Sequence, residues 1–228
     1  MKYFNNFGDK RQATFCIYCG DNVETREHSP SKVFLDLPYP DNLPIIYSCE
    51  KCNSNFSLDE EYVASLIECL ICRDTYPDSI KREKIKRILV KKPGLARRLS
   101  GAMIKNKKGV SFKIEKDRFE NVLLKLGRSH FLYECNEPIY DEPIDFRYGV
   151  LEVMSENERN EFEKPTLLRF APEVGSRAMQ NILFAGELTY SQWIIVQDGR
   201  YRYIVADDRS VRLVLSEYIW CEIKWPID

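Results

Sequence analysis

Two cysteine pairs, Cys16/Cys19 and Cys49/Cys52, share the Cys-x-x-Cys spacing. Four thiolates in two such pairs can close a tetrahedral shell around Zn2+, which would leave no position open for a substrate. Such an ion does structural work, stapling a small fold whose core alone would be thin. Gly20 follows the first pair, where the tight backbone turn needs a residue without a Cβ. Between and just beyond the pairs lie Glu27-His28, Pro30, Asn42-Leu43 and, directly after Cys52, Asn53. An acid, an imidazole and two amides enclosed by metal-binding cysteines look like a reaction site rather than a bare knuckle.

In order and type, the stretch 14–61 resembles the HNH endonuclease family, in an HNN-type variant. The family pattern places an acid and a His after the first knuckle. An Asn-Leu then precedes the second Cys-x-x-Cys, and a His or Asn follows it directly. Here these positions are Glu27-His28, Asn42-Leu43 and Asn53. The resemblance implies a ββα-metal fold and a division of roles. His28 would be the general base that activates water against a phosphodiester, an imidazole being neutral and able to accept a proton near pH 7. Glu27 and Asn53 would hold a divalent cation, Mg2+ or Mn2+. Asn42 would position the hairpin and orient His28. Three departures stand out: Glu27 is longer than the usual Asp, Asn53 replaces a His, and Asn42 is further from Cys49 than in the commonest pattern.

Charge points the same way. Residues 81–118 hold fifteen Lys/Arg against three acids (Glu83, Glu115, Asp117), a net of +12, so the remainder carries −13 within an overall −1. A basic block in an otherwise acidic chain matches a phosphate backbone, and taken with the resemblance the expected partner is nucleic acid, DNA ahead of RNA. A solvated helix face is the competing reading. The opening MKYFNNFGDK is polar, with no apolar run like that of a signal peptide, and no stretch approaches the ~18 apolar residues that span a bilayer. A cytoplasmic protein with no membrane contact is expected, in which cysteines serve as metal ligands or buried thiols rather than disulfides.

The elements that must carry these residues follow from periodicity. Residues 25–29 and 45–46 read as short strands, 32–35 as a turn of helix, and 37–44, with three prolines, as a loop. Ser57-x-x-Glu60 has the form of a capping box and predicts a helix start, with Tyr62, Val63, Leu66, Ile67, Leu70 and Ile71 on its buried face. Asp59, Glu60 and Glu61 are then acids at a helix N-terminus. Further helices are expected from Ile80, from Pro93 and over 118–134, with 101–109 a basic flexible turn and Gly127 a weak point in the last helix. Beyond Pro143 the chain turns β-rich. Strands are expected over 145–154, 191–196, 200–206 and 211–215, with Asp198-Gly199 as a hairpin turn, while 218–225 is apolar and of open type. The expected fold class is α+β: a zinc-stapled module (1–75), which the resemblance implies is ββα-metal, a basic helical region (76–140) and an antiparallel β-rich domain (141–228), whose expected role beside a nuclease is to recognise a partner or sense a signal. Cys69, Cys72, Cys135, Cys221 and His130 read as buried. Against a metal-dependent endonuclease stands a non-catalytic zinc module that binds nucleic acid or protein. That module gives His28 no task.

Overall fold

A computed structural model describes residues 13–41, 43–107, 109–167, 190–206 and 208–227. Asn42 and most of the polar leader lie outside them. Strands β1 (Thr25–His28) and β2 (Ile45–Ser48) pair antiparallel with Glu27 opposite Ile46 and His28 opposite Ile45. Helix α1 (Glu50–Cys72) follows at once. It starts seven residues before Ser57, so that serine is helical and caps nothing. The start signal is the cysteine pair itself. Cys49 Sγ accepts from the Cys52 N–H at 3.4 Å, and Glu24 Oε2 accepts from the Glu50 N–H at 2.8 Å. Sulfur and a distant carboxylate thus satisfy donors that every helix start leaves open.

The chain then forms α2 (Glu83–Lys91), α3 (Pro93–Ala102), β3 (Met103–Asn106), β4 (Gly109–Phe112) and α4 (Lys116–Cys135). Residues expected to be a basic turn are in fact a paired hairpin, β3 with β4. The second helix opens at Glu83 rather than Ile80, because Pro77–Ser79 closes its own 3-10 turn first. After α4 come β5 (Asp145–Val150), α5 (Glu156–Glu163), β6 (Thr166–Leu167), β7 (Tyr190–Ser191), β8 (Ile194–Gln197), β9 (Tyr201–Ala206), β10 (Ser210–Leu215) and β11 (Ile219–Lys224). Ser155 and Glu158 cap α5 with a reciprocal box. The fold is mixed α+β, with five α-helices among the described residues and a five-stranded antiparallel sheet in the order β5-β11-β10-β9-β8. The open-type apolar segment is thus its strand β11. No helix of the described residues is long and apolar enough to cross a membrane.

Two compact units result: residues 1–54 with 124–228, and residues 55–123. In the second, Arg118 ties the segment together. Its guanidinium donates to Asp59 Oδ1 at 2.5 Å and to the Leu58 carbonyl at 2.7 Å, and lies 4.6 Å from the centre of the Tyr62 ring. Asn121 Nδ2 holds the other Asp59 oxygen at 2.9 Å. Asp59 is thereby committed to structure.

In the first unit the sheet is covered on both faces, not half-buried as its alternation suggests. Tyr201, Tyr203, Val211, Leu213, Cys221 and Ile223 form one buried row, and Val214 joins Leu151 and Phe162 on the other side with Trp193 and Trp220. Helix α4 closes against the first row at Gly127, where an added Cβ would stand 2.7 Å from Ile223 Cδ1 and 3.0 Å from the Trp225 ring. Gly127 is therefore a contact point and not merely a weak helix residue. Gly127→Leu is expected to lower the unfolding free energy by about 1–3 kcal/mol through overpacking, measured by urea denaturation followed by tryptophan fluorescence. A variant as stable as the parent would contradict this packing.

Candidate functional site

The cysteine pairs meet. The Sγ atoms of Cys16, Cys19, Cys49 and Cys52 all lie within 4.8 Å of one another, and Cys19 Sγ to Cys49 Sγ is 3.7 Å. A tetrahedral shell with Zn–S bonds of about 2.3 Å places sulfurs about 3.8 Å apart, so four cysteines close together here can hold a metal ion such as zinc. All are free thiols, and Gly20 beside them has φ +80°. The electrostatics fit a cation. The Cys52 N–H at the α1 N-terminus, with neighbouring thiols, holds Cys49 below the ordinary thiol range in spite of burial. Cys19 has the Asp21 backbone N–H favouring its thiolate, yet burial and the neighbouring Cys16 thiol push it up to about 11. Burial and Cys49 push Cys52 higher still. Four sulfurs this close cannot all ionise unless a cation takes up the charge.

Thirty residues separate Cys19 from Cys49, so closing this cluster brings β1 to the start of α1. Side chains alternate along β1. Thr25 and Glu27 share the face opposite Ser48 and Ile46, which are buried, and Arg26 and His28 share the face opposite the half-buried Tyr47 and Ile45. Asn53 joins the Glu27 face: its Nδ2 donates to Thr25 Oγ1 at 3.1 Å. Thr25 Oγ1 also donates to the Ser48 carbonyl at 3.0 Å and meets Ser48 Oγ at 3.0 Å. With Nδ2 toward Thr25, Oδ1, an oxygen suited to a hard cation, lies on the side away from that hydroxyl.

Glu27 has a partner that the sequence does not announce. Its Oε2 accepts from Lys125 Nζ, 98 positions away on α4, and the side chains are 9% and 3% exposed. Breaking such a buried pair by removing one partner typically costs about 3–5 kcal/mol. The second oxygen, Oε1, is buried and has no hydrogen-bond partner. That acceptor lacks the donor that buried carboxylate oxygens normally have. One position further, His28 Nδ1 is likewise buried without a hydrogen bond. Burial, then the charge of Lys32, hold this imidazole below its ordinary value, against the Pro44 and Leu43 carbonyls, which pull the other way. At neutral pH His28 is therefore a neutral ring able to accept a proton.

Other contacts support this floor. Ser29 Oγ meets Ser129 Oγ at 2.5 Å. The loop after β1 is clamped from the sheet: Gln197 Oε1 accepts from the Asp36 N–H at 2.8 Å, Gln197 Nε2 donates to the Asp36 carbonyl at 2.9 Å, and Arg200 Nε donates to Asp36 Oδ2 at 2.5 Å. Thr25 was legible as the residue two before Glu27 on the same face. Lys125, Ser129 and Gln197 carry no local signal, because tertiary folding alone brings them here.

Cys69 is buried, and burial pushes its thiol up to about 12; Cys72 lies 3.6 Å from Glu68 Oε1 and does not join a cluster of three or more metal-binding groups among the described residues. Cys135 and Cys221 are buried in the core. No family model, curated protein or solved structure matches the chain.

The purified protein is expected to carry one zinc per chain by elemental analysis. Cys16→Ser and Cys52→Ser should lose it and unfold at lower denaturant, while Cys69→Ser and Cys72→Ser should retain it. Zinc kept by the first two, or lost by the second two, would contradict the four-thiolate assignment.

Proposed function

We propose that this protein is a metal-dependent endonuclease of the HNH type that hydrolyses phosphodiester bonds of nucleic acid, DNA in preference to RNA. In this reading residues 16–61 form a zinc-stapled ββα-metal module. The observation that carries it is the orphaned buried acceptor Glu27 Oε1, on the β1 face that Asn53 joins through Thr25; His28 Nδ1, orphaned as well, follows it at the strand end on the other face. Buried polar atoms normally find partners. Two unmatched atoms at one strand end suit a site completed by a ligand.

The residues divide the work. Glu27 Oε1 and Asn53 Oδ1 would hold Mg2+ or Mn2+. Such a cation, when bound, supplies positive charge to the developing charge on the phosphate and the leaving 3′ oxygen. His28, neutral at working pH, takes the proton of the attacking water as the new P–O bond forms and the bond from phosphorus to the leaving 3′ oxygen breaks. Thr25 fixes the amide of Asn53. Lys125 fixes one oxygen of Glu27, and the four cysteines with zinc fix the strand-to-helix junction. Asn42 remains a proposed orienting residue for His28.

For the grip on the backbone, the basic segment 81–118 offers exposed Lys91, Lys105, Lys107 and Lys113, which make no ion pair among the described residues. Its other members are partly structural: Arg82 is buried and Arg118 is engaged with Asp59. The C-terminal sheet is proposed to recognise a protein partner or a signal, and the cytoplasm is the proposed compartment.

Plasmid nicking with Mg2+ or Mn2+ tests the reading. His28→Ala should lose about 100-fold or more of the rate while keeping its zinc and its thermal transition. Equal cleavage by both proteins, or none with any cation, would leave a non-catalytic zinc module. In a separate measurement, replacing Lys91, Lys105, Lys107 and Lys113 together by Ala should weaken duplex binding and flatten its salt dependence, the slope of log K against log salt falling by about 0.9 for each phosphate no longer neutralised. An unchanged slope would place the nucleic-acid surface elsewhere.

A further inference from the structure

We infer that Lys125 makes divalent-cation binding at Glu27 depend on the substrate phosphate, so that metal and nucleic acid load together; this rests on the nuclease reading above. The Lys125 side chain is 3% exposed, too buried to act as one of the surface lysines that grip a backbone. Its ammonium lies against Glu27 Oε2 and neutralises the carboxylate at the place where a cation is expected. Asn53 and Thr25, which share that face, add an amide and a hydroxyl, both uncharged. Lys32 adds positive charge beside His28. The groups named here therefore offer a divalent cation no net negative charge. Mg2+ and Mn2+ dehydrate reluctantly and are commonly held by one or two carboxylates together with substrate phosphates. Here the single carboxylate is already offset, so the phosphate has to supply the missing charge. The same contact occupies Oε2 and leaves Oε1 as the carboxylate oxygen without a hydrogen bond. Lys125 is in this account a positioning residue, acting through Glu27.

The test measures Mn2+ binding to the full-length zinc-loaded protein by calorimetry, with and without a short DNA duplex. His28→Ala is the background, so that the duplex survives, and Mn2+ held by the duplex alone is subtracted. With Lys125 present, the duplex should tighten Mn2+ binding by about tenfold or more, an effect of Coulombic origin. Lys125→Met should bind Mn2+ more tightly without DNA, and its tightening by the duplex should fall below about threefold on the same argument. Lys125→Gln, which keeps a donor for Oε2 but not the charge, should behave like Met and guards against a folding defect in the Met variant. Lys125→Arg should retain the coupling. Glu27-dependent Mn2+ binding that is equal with and without duplex, or coupling unchanged in both neutral variants, overturns this inference and leaves the nuclease reading standing. If no Mn2+ binding depends on Glu27 under either condition, the nuclease reading falls with it.

Discussion

Four sulfur atoms gathered within 4.8 Å are the constraint on which the N-terminal half depends. Thiols packed this closely resist ionisation, as the raised Cys19 and Cys52 show, while the start of α1 draws Cys49 the opposite way. A cation held by the four sulfurs would resolve that conflict and would fix where β1 ends relative to where α1 begins. Everything proposed for the site follows from that junction. Thr25 reaches Asn53 only because the cysteines bring strand and helix together, and Glu27 faces inward only because the register with β2 is set.

Helix α4 supplies the second organising element of this unit. Lys125 and Ser129, one turn apart, reach Glu27 and Ser29 near the start of the chain. From the same helix Gly127 admits Ile223 and Trp225, His130 Nε2 meets Tyr201 Oη at 2.8 Å and stacks on Tyr203 at 3.7 Å, and Tyr203 Oη donates to Glu134 Oε1 at 2.6 Å. One helix thus holds the candidate site on one side and the β-sheet on the other. Lys125, Ser129, His130 and Glu134 on it are buried and each makes a hydrogen bond, which specifies one register rather than merely adding stability.

Much of this was legible in the sequence wherever local chemistry decides. The cysteine spacing gave the cluster, Asp198-Gly199 gave the β8–β9 turn with Gly199 at φ +67°, and the alternation over 201–215 gave two central strands. Local signals misled where a non-local partner took over. The serine box at Ser57 looks like a helix start, but a sulfur and Glu24 had already begun α1 at Glu50. The segment after Gly101 looks like a loose basic turn because no apolar alternation marks it, yet its backbone pairs as β3 and β4. At the candidate site, the acid, the imidazole and the amide could be named from their order. Lys125 could not, since nothing in its helical surroundings distinguishes it from the other basic residues of the chain.

The central claim is that a cation and a phosphate meet at Glu27, His28 and Asn53. Its most direct test is a crystal structure of the zinc-loaded His28→Ala protein with Mn2+ and a DNA duplex, using anomalous scattering at the manganese and zinc edges. The account predicts zinc at the four cysteines and manganese bound to Glu27 Oε1 and Asn53 Oδ1, with a phosphate oxygen completing its shell. Manganese bound elsewhere, or a duplex phosphate remote from β1, would contradict it.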